Sequence, residues 1–369
     1  MAIRGRHERS ITEVQGTKSN TGSQGDSIDE AGMVTLAHGA GGLMTRHLID
    51  FLVKNVARKS VASGVGLLEM DDGATVPIPG TDQVVVITTD GHTVDPIFFP
   101  GGDLGKLAAC GTANDVLMMN ADPVALTHAI IVEEGFPIKD LKRINDSFVA
   151  IANEWGIAII AGDTKVMPKG TLKGMISVTA GIGIAKRDDI VVDDHVCAGD
   201  DIVVTGTLGD HGTALLAVRQ GLSFETELVS DVQVLANVVR TARKFAPRAM
   251  TDPTRGGLAV ALNEIAEKSG VGIWIDEDKV PFQKATISAC EMLGLSPYEL
   301  ASEGRAVIAV PAGHGDALVA ALRKLPESKD AVLIGHASTD RPGKVFLKTR
   351  VGGTRILAMP LGESIPRVC

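Results

Sequence analysis

The acidic residues of this chain recur in one kind of setting. Asp71-Asp72-Gly73, Thr89-Asp90-Gly91, Asn114-Asp115, Gly162-Asp163-Thr164 and Asp252-Pro253-Thr254-Arg255-Gly256-Gly257 each border an apolar segment. A single aspartate in such a place is ordinarily a turn or N-cap residue. Five such elements, several flanked by Gly and Thr, carry a second meaning. Carboxylates at strand ends can converge on one edge of a sheet, and hard oxygen ligands gathered there suit Mg²⁺, which in turn holds phosphates. By contrast, Asp188-Asp189, Asp193-Asp194 and Asp200-Asp201 have polar flanks and read as solvated linker and turn charges.

Other reactive groups are more ambiguous. Lys165 follows Gly-Asp-Thr at the end of a short apolar run. It is either an exposed loop lysine or a group that contacts phosphate or takes part in proton transfer. Glu303 precedes a buried strand, where a cap or turn is the ordinary account. His38, His92 and His128 are scattered without ligand spacing and read as packing or hydrogen-bonding residues. Cys110 and Cys290 lie on apolar helical stretches and read as inert core residues, while Cys197 falls in a turn. No CxxC pair exists, which argues against structural zinc. Cys369 is the last residue, behind Ile365-Pro366-Arg367-Val368. That placement rules out a prenylation box. The thiol is either accidental or a swinging group that carries something into an active site.

The common phosphate loops fail. Gly101-Gly102-Asp103-Leu104-Gly105-Lys106-Leu107 superficially resembles a Walker A loop, but Pro100 stands where its first Gly is needed and Leu107 replaces Ser/Thr. The run Gly39–Gly42 is not a dinucleotide fingerprint either.

Positioning these groups needs a sizeable core. Of 369 residues, 44% are apolar, but only 3% are aromatic, so the core must rest on Val, Ile, Leu and Ala. That length is natural for two domains. The net charge of −9 comes without a basic stripe, which excludes an ordinary nucleic-acid binder. No stretch approaches ~18 uninterrupted apolar residues, so no membrane span is expected. Arg4, Arg6 and Arg9 have no apolar run behind them, so no secretory signal is expected, and widely spaced cysteines suit a reducing cytoplasm.

Periodicity predicts helices over 43–56, 104–119 and 138–155, with strands over 84–89, 123–132, 157–161 and 175–184. A charged seam at 185–199 precedes a second alternating half. Asp201 to Thr207 opens it, and the pattern predicts strands over 271–276, 305–310, 331–337 and 344–348. Helices are predicted over 211–220, 231–245, 256–268, 283–293 and 314–324. The fold class is α+β. Residues 1–32 read as a disordered extension, and 353–369 as an extended, mobile arm.

From Val34 to Cys369 the chain resembles the HypE family, the carbamoyl dehydratases of nickel–iron hydrogenase maturation. That family belongs to the superfamily of aminoimidazole ribonucleotide synthetase, selenophosphate synthetase and thiamine-phosphate kinase. The marks are His38-Gly39-Ala40-Gly41-Gly42, Thr88-Thr89-Asp90-Gly91, Cys110-Gly111-Thr112-Ala113-Asn114-Asp115-Val116, Gly162-Asp163-Thr164-Lys165-Val166, Asp252–Gly257 and the terminal Pro366-Arg367-Val368-Cys369. Val368 stands where the family often has Ile.

The resemblance implies a two-domain aminoimidazole-ribonucleotide-synthetase-like fold. An N-terminal ATP-binding and dimerisation domain spans 33–186, a C-terminal α/β domain 187–352, and a flexible tail 353–369. In the implied homodimer, strands of two N-terminal domains build a shared β-barrel. The resemblance assigns Asp72, Asp90, Asp115 and Asp252 to Mg²⁺, and Gly39, Gly41, Gly42, Asn114, Asp163 and Thr164 to the ATP site. Cys369 becomes the substrate-bearing thiol, with Lys165 and Glu303 as bases. The implied partners are the carbamoyltransferase HypF, which loads the thiol, and the HypC–HypD complex, which accepts the cyano group. Two other readings stay open: a small-molecule ATP-dependent synthetase or kinase of the same superfamily, and a non-catalytic scaffold whose tail docks a partner.

Overall fold

The computed structural model describes residues 32–222 and 228–362. Most of the expected N-terminal extension and the end of the arm, including Cys369, lie outside them. The first half runs α1 (Leu43–Val53), β1 (Ala74–Pro77), β2 (Gln83–His92), β3 (Phe98–Phe99), β4 (Gly102–Asp103), α2 (Leu104–Met118), β5 (Asp122–Glu133), α3 (Ile138–Trp155), β6 (Ala158–Met167) and β7 (Met175–Lys186). Its five-stranded sheet has the order β1-β2-β7-β5-β6, antiparallel except for the β5–β6 edge. β7 alternates as a half-covered strand must. Met175, Ser177, Thr179, Gly181 and Gly183 are buried, while Ile176, Val178, Ala180, Ile182 and Ile184 between them stay partly exposed.

The second half runs β8 (Asp201–Val204), α4 (Asp210–Gln220), α5 (Ala236–Ala242), β9 (Ala249–Thr251), α6 (Gly257–Ser269), β10 (Gly272–Asp276), α7 (Lys284–Leu293), β11 (Val307–Val310), α8 (Gly315–Leu322), β12 (Val332–Ser338), β13 (Lys344–Lys348) and β14 (Thr354–Ile356). Its seven-stranded sheet has the order β14-β13-β10-β12-β8-β11-β9 and is parallel only between β10 and β13. Both faces are covered. Ile202, Val204, Val307 and Ala309 pack with the apolar face of α6, and Val203, Ile308 and Val310 with α5, α8 and α2.

Helix α2 joins the halves. Leu107, Cys110, Ala113 and Leu117 share one cluster with Val203, Val232, Val239 and Ile308 of the second domain. Its other side lies on β2 and β7, so the helix is buried almost throughout. The Asp103 carboxylate caps its start, accepting the Lys106 N–H at 3.0 Å and the Ser147 hydroxyl at 2.6 Å. The Walker-like segment is therefore a helix cap.

Several sequence expectations change. The helix expected over 231–245 begins only at Ala236, because Gln233 and Leu235 give their backbone to the Asn114 side chain. The strand expected to end at Ala161 continues to Met167 along its parallel neighbour. The start of the arm is not loose: residues 354–356 add β14, and Leu357 is buried. Beyond it, the carbonyls of Pro360 and Leu361 accept the N–H groups of Leu43 and Met44 at the start of α1. Two seam carboxylates are buried rather than solvated. Asp193 meets Lys268 at 3.5 Å, and Asp200 accepts the Cys197 N–H at 2.7 Å.

The closeness of α2 and α3 is testable. A Cβ on Gly105 would strike the Ile144 carbonyl oxygen. Gly105→Ala is expected to destabilise the chain by about 1–3 kcal/mol, read as a lower midpoint in urea denaturation.

Candidate functional site

Asp72 stands in the turn before β1, Asp90 near the end of β2, Asp115 on α2 and Asp252 directly after β9. One carboxylate oxygen from each of Asp72, Asp115 and Asp252 lies within 4.8 Å of the others. The Thr88 hydroxyl donates to Asp115 Oδ2 at 2.8 Å. The Gly91 N–H donates to Asp90 Oδ1 at 2.7 Å.

This cluster is electrostatically uncomfortable. Burial, then repulsion from Asp252 and Asp115, holds the Asp72 carboxyl well above the usual carboxylate range. Asp115 is raised in the same way by burial and by Asp252 and Asp90, against the opposing Thr88 hydrogen bond. Asp252 is pushed up to about 7 by burial and Asp90. Three desolvated oxygens facing one another are a poor resting state for anions and a good donor set for a hard divalent cation. The residues present therefore fit such an ion.

The same cleft, enclosing about 490 Å³, is lined by Gly41, Gly42, Asp72, Asp90, His92, Asp115, Asp252 and Glu303. Arg46 and Arg255 also face it and supply cationic groups suited to phosphate. Gly41 and Gly42 have φ of +82° and +83°, and a Cβ on them would meet the backbone of Arg255 and Pro360. The loop is thus wedged between α6's entry and the arm. Its N–H groups are not all available to a ligand, since that of Gly41 donates to Thr45 Oγ1 at 2.9 Å.

Other expected site residues lie elsewhere. Asn114 points away from the cleft. Its Nδ2 donates to the carbonyls of Gln233 at 3.0 Å and Glu303 at 3.3 Å, and its Oδ1 accepts the Leu235 N–H at 2.9 Å. It is a clasp between domains, and one of its partners is the backbone of Glu303. The Glu303 N–H in turn donates to Asp231 at 3.0 Å. Gly39 ends a short turn, Leu36–Gly39, outside the cleft lining. Asp163, Thr164 and Lys165 sit on the exposed edge strand β6, opposite Ala129, Ile130 and Ile131, and do not reach the cleft of their own chain.

The scattered histidines mostly keep their structural reading. His128 bonds Ser177 at 2.8 Å and stacks on Phe148. His92 bonds Thr112 and Thr179, each at 3.1 Å, but it also lines the cleft 3.5 Å from Asp90. Burial lowers its pKa, so the ring stays neutral. Burial pushes the Cys110 thiol up to about 12 and Cys290 up to about 11, which keeps both inert. Sequence reading assigned no role to Arg46 and Arg255. Arg255 sat in a quoted motif, whereas nothing in the helical pattern marks Arg46.

Residues 70–185 match the AIR synthase related protein N-terminal domain, and 198–348 the matching C-terminal domain. A protein of Rhizobium leguminosarum bv. viciae named carbamoyl dehydratase HypE is 41% identical over 341 residues, spanning 92% of this chain and 95% of that protein. The crystal structure of hydrogenase maturation protein HypE in complex with ATP has TM-score 0.75 and 36% identity, over 91% of this chain and all of that one. The HypE–HypF complex gives TM-score 0.78 and 37% identity, over 85% of this chain and 99% of its counterpart.

Two AIR-synthase-related domains around one acidic cleft define the class. Within that class the chain belongs to the HypE family of carbamoyl dehydratases, enzymes of hydrogenase maturation. No helix among the described residues is long and apolar enough to cross a membrane.

A cation entering the cluster must displace protons. Calorimetric titration with Mg²⁺ is expected to show affinity falling as pH drops below about 7, by about tenfold per pH unit for one proton displaced. In Asp115→Asn the heat of binding should disappear.

Proposed function

We propose that the chain uses ATP to dehydrate an S-carbamoyl group on its own Cys369 to S-cyanocysteine. The observation that carries this reading is the convergence of Asp72, Asp115 and Asp252 in the cleft that also holds Glu303. Asp72, Asp115 and Asp252, with Asp90 beside them, would hold Mg²⁺. The ion would supply positive charge to the γ-phosphate of ATP. Arg46 and Arg255 line the same cleft and would share the phosphate charge.

The chemistry needs an activated oxygen, because oxide is a poor leaving group. The carbamoyl oxygen attacks the γ-phosphorus and ADP leaves. The C–O bond then breaks as phosphate departs, and the two N–H protons go to bases, leaving S–C≡N. Glu303, 7% exposed and held by its backbone from both domains, suits one proton transfer. Lys165 is assigned the second by family resemblance.

The arm can make the delivery. Gly362 packs on Ala37 beside the glycine loop. The seven residues 363–369 span at most about 24 Å when extended. HypF, seen bound in the related complex, is the proposed carbamoyl donor. The proposed cyanide acceptor is HypC–HypD, and the proposed compartment is the cytoplasm.

The homodimer belongs to the same proposal. β6 is an uncovered edge, with Ile160 60% and Val166 63% exposed. Such an edge invites pairing with another chain. A shared barrel built through it is what would bring Lys165 toward a second chain's cleft.

Three experiments test these points. Incubation with HypF, carbamoyl phosphate and ATP should convert the C-terminal peptide from the carbamoyl mass to the cyano mass. Modification at Cys110, or persistence of the carbamoyl mass with ATP present, would refute the reading. ADP formation that survives Cys369→Ala would favour the kinase or synthetase alternative. For assembly, light scattering should report a dimer for the parent chain and a monomer for Ile160→Asp.

A further inference from the structure

Lys268 lies near the end of α6, in the second domain, and belongs to none of the family motifs quoted above. Its side chain is 16% exposed and reaches across the domain boundary. Nζ donates to the Met70 carbonyl at 2.8 Å and to Asp71 Oδ1 at 2.9 Å, and lies 3.5 Å from Asp193 Oδ2. Asp71 is itself only 4% exposed, and its Oδ1 also accepts the Asp193 N–H at 3.3 Å. The next residue of α6, Ser269, donates its hydroxyl to the Asp193 carbonyl at 2.7 Å and accepts the Val196 N–H at 3.1 Å. The end of α6 thus grips both the 70–71 turn and the linker that joins the domains.

The gripped turn is unusual. Met70 has φ of +51°, a left-handed conformation that a long side chain adopts only under restraint. Asp72 follows two residues later. Neighbouring carboxylates here do opposite jobs: Asp71 turns inward to the ammonium, and Asp72 faces Asp115 and Asp252. Unlike Asp115, on a buried helix, and Asp252, directly after a strand, Asp72 sits in a turn. Its placement depends on what holds that turn.

We propose that Lys268 is a positioning residue for the divalent-cation site: by clamping Met70 and Asp71 it aims Asp72 at the two carboxylates opposite. This rests on the reading that Asp72, Asp115 and Asp252 hold the ion. Lys268 touches neither ion nor substrate. It makes cation affinity depend on how the second domain is seated against the first.

The test uses the full-length chain, Mn²⁺ as probe, and electron paramagnetic resonance with a non-hydrolysable ATP analogue present. Lys268→Met should weaken Mn²⁺ by about tenfold or more, the usual size of an outer-shell effect. Lys268→Arg, which keeps the charge and can reach the same acceptors, should recover most of it. Analogue binding in EDTA should not change in either variant. Asp71→Asn breaks the same clamp from the turn side and should give the same selective loss, so the test survives if one variant fails to fold. Parental Mn²⁺ affinity in a folded Lys268→Met or Asp71→Asn chain overturns the proposal. Equal loss of analogue binding with and without metal also overturns it, since that is what a merely structural cross-link would do. If the parent chain takes up no Mn²⁺, the reading of the three carboxylates fails first.

Discussion

Mutual repulsion among three desolvated carboxylates is the constraint around which this molecule is arranged. Asp72, Asp115 and Asp252 come from a turn, a helix and a post-strand loop, and two domains must meet for their oxygens to lie within 4.8 Å of one another. A fold gains nothing in stability from such an arrangement without a cation. The cost is absorbed by the packing of α2, apolar on nearly every side and shared by both cores. A rigid, buried helix is a suitable mount for Asp115, because its backbone cannot shift to relieve the repulsion.

That mount explains why domain packing and site chemistry are hard to separate here. Asn114 and Asp115 are neighbours on α2, yet one faces the second domain and the other the cleft. Through Asn114 the same helix holds the backbone carbonyl of Glu303, while Asp231 holds its N–H. In the proposed reaction Glu303 would act as a base held from both sides, and pre-aiming of that kind is where rate is gained when proton transfer must accompany a departing phosphate.

Much of this was legible in the sequence, because the carboxylate motifs are local. Asp72, Asp90, Asp115 and Asp252 stand out by their flanks, the family resemblance adds Gly41, Gly42 and Glu303, and all seven line one cleft. What escaped is what sequence neighbours cannot report. Asn114 carries the right residue type for a nucleotide site, but helix phase turns it to the other domain. Asp193 reads as a solvent charge until Lys268, 75 residues away, is seen beside it. The segment 231–235 has a helical pattern, yet its backbone is claimed by a side chain more than a hundred residues earlier. Lys165 and Asp163 lie on an exposed edge strand outside the cleft of their own chain, a placement that no local pattern reports.

The backbone bonds from Pro360 and Leu361 to the first turn of α1 fasten the C-terminal arm at the mouth of the cleft. In the proposed reaction the Cys369 thiol, tied eight residues beyond Leu361, never diffuses away. Its effective concentration at the site is on the order of millimolar or more, whatever the protein concentration. For the proposed reaction, the cleft would then need almost no intrinsic affinity for the thiocarbamate. A product held so weakly would be free to withdraw and meet its acceptor as soon as chemistry is done.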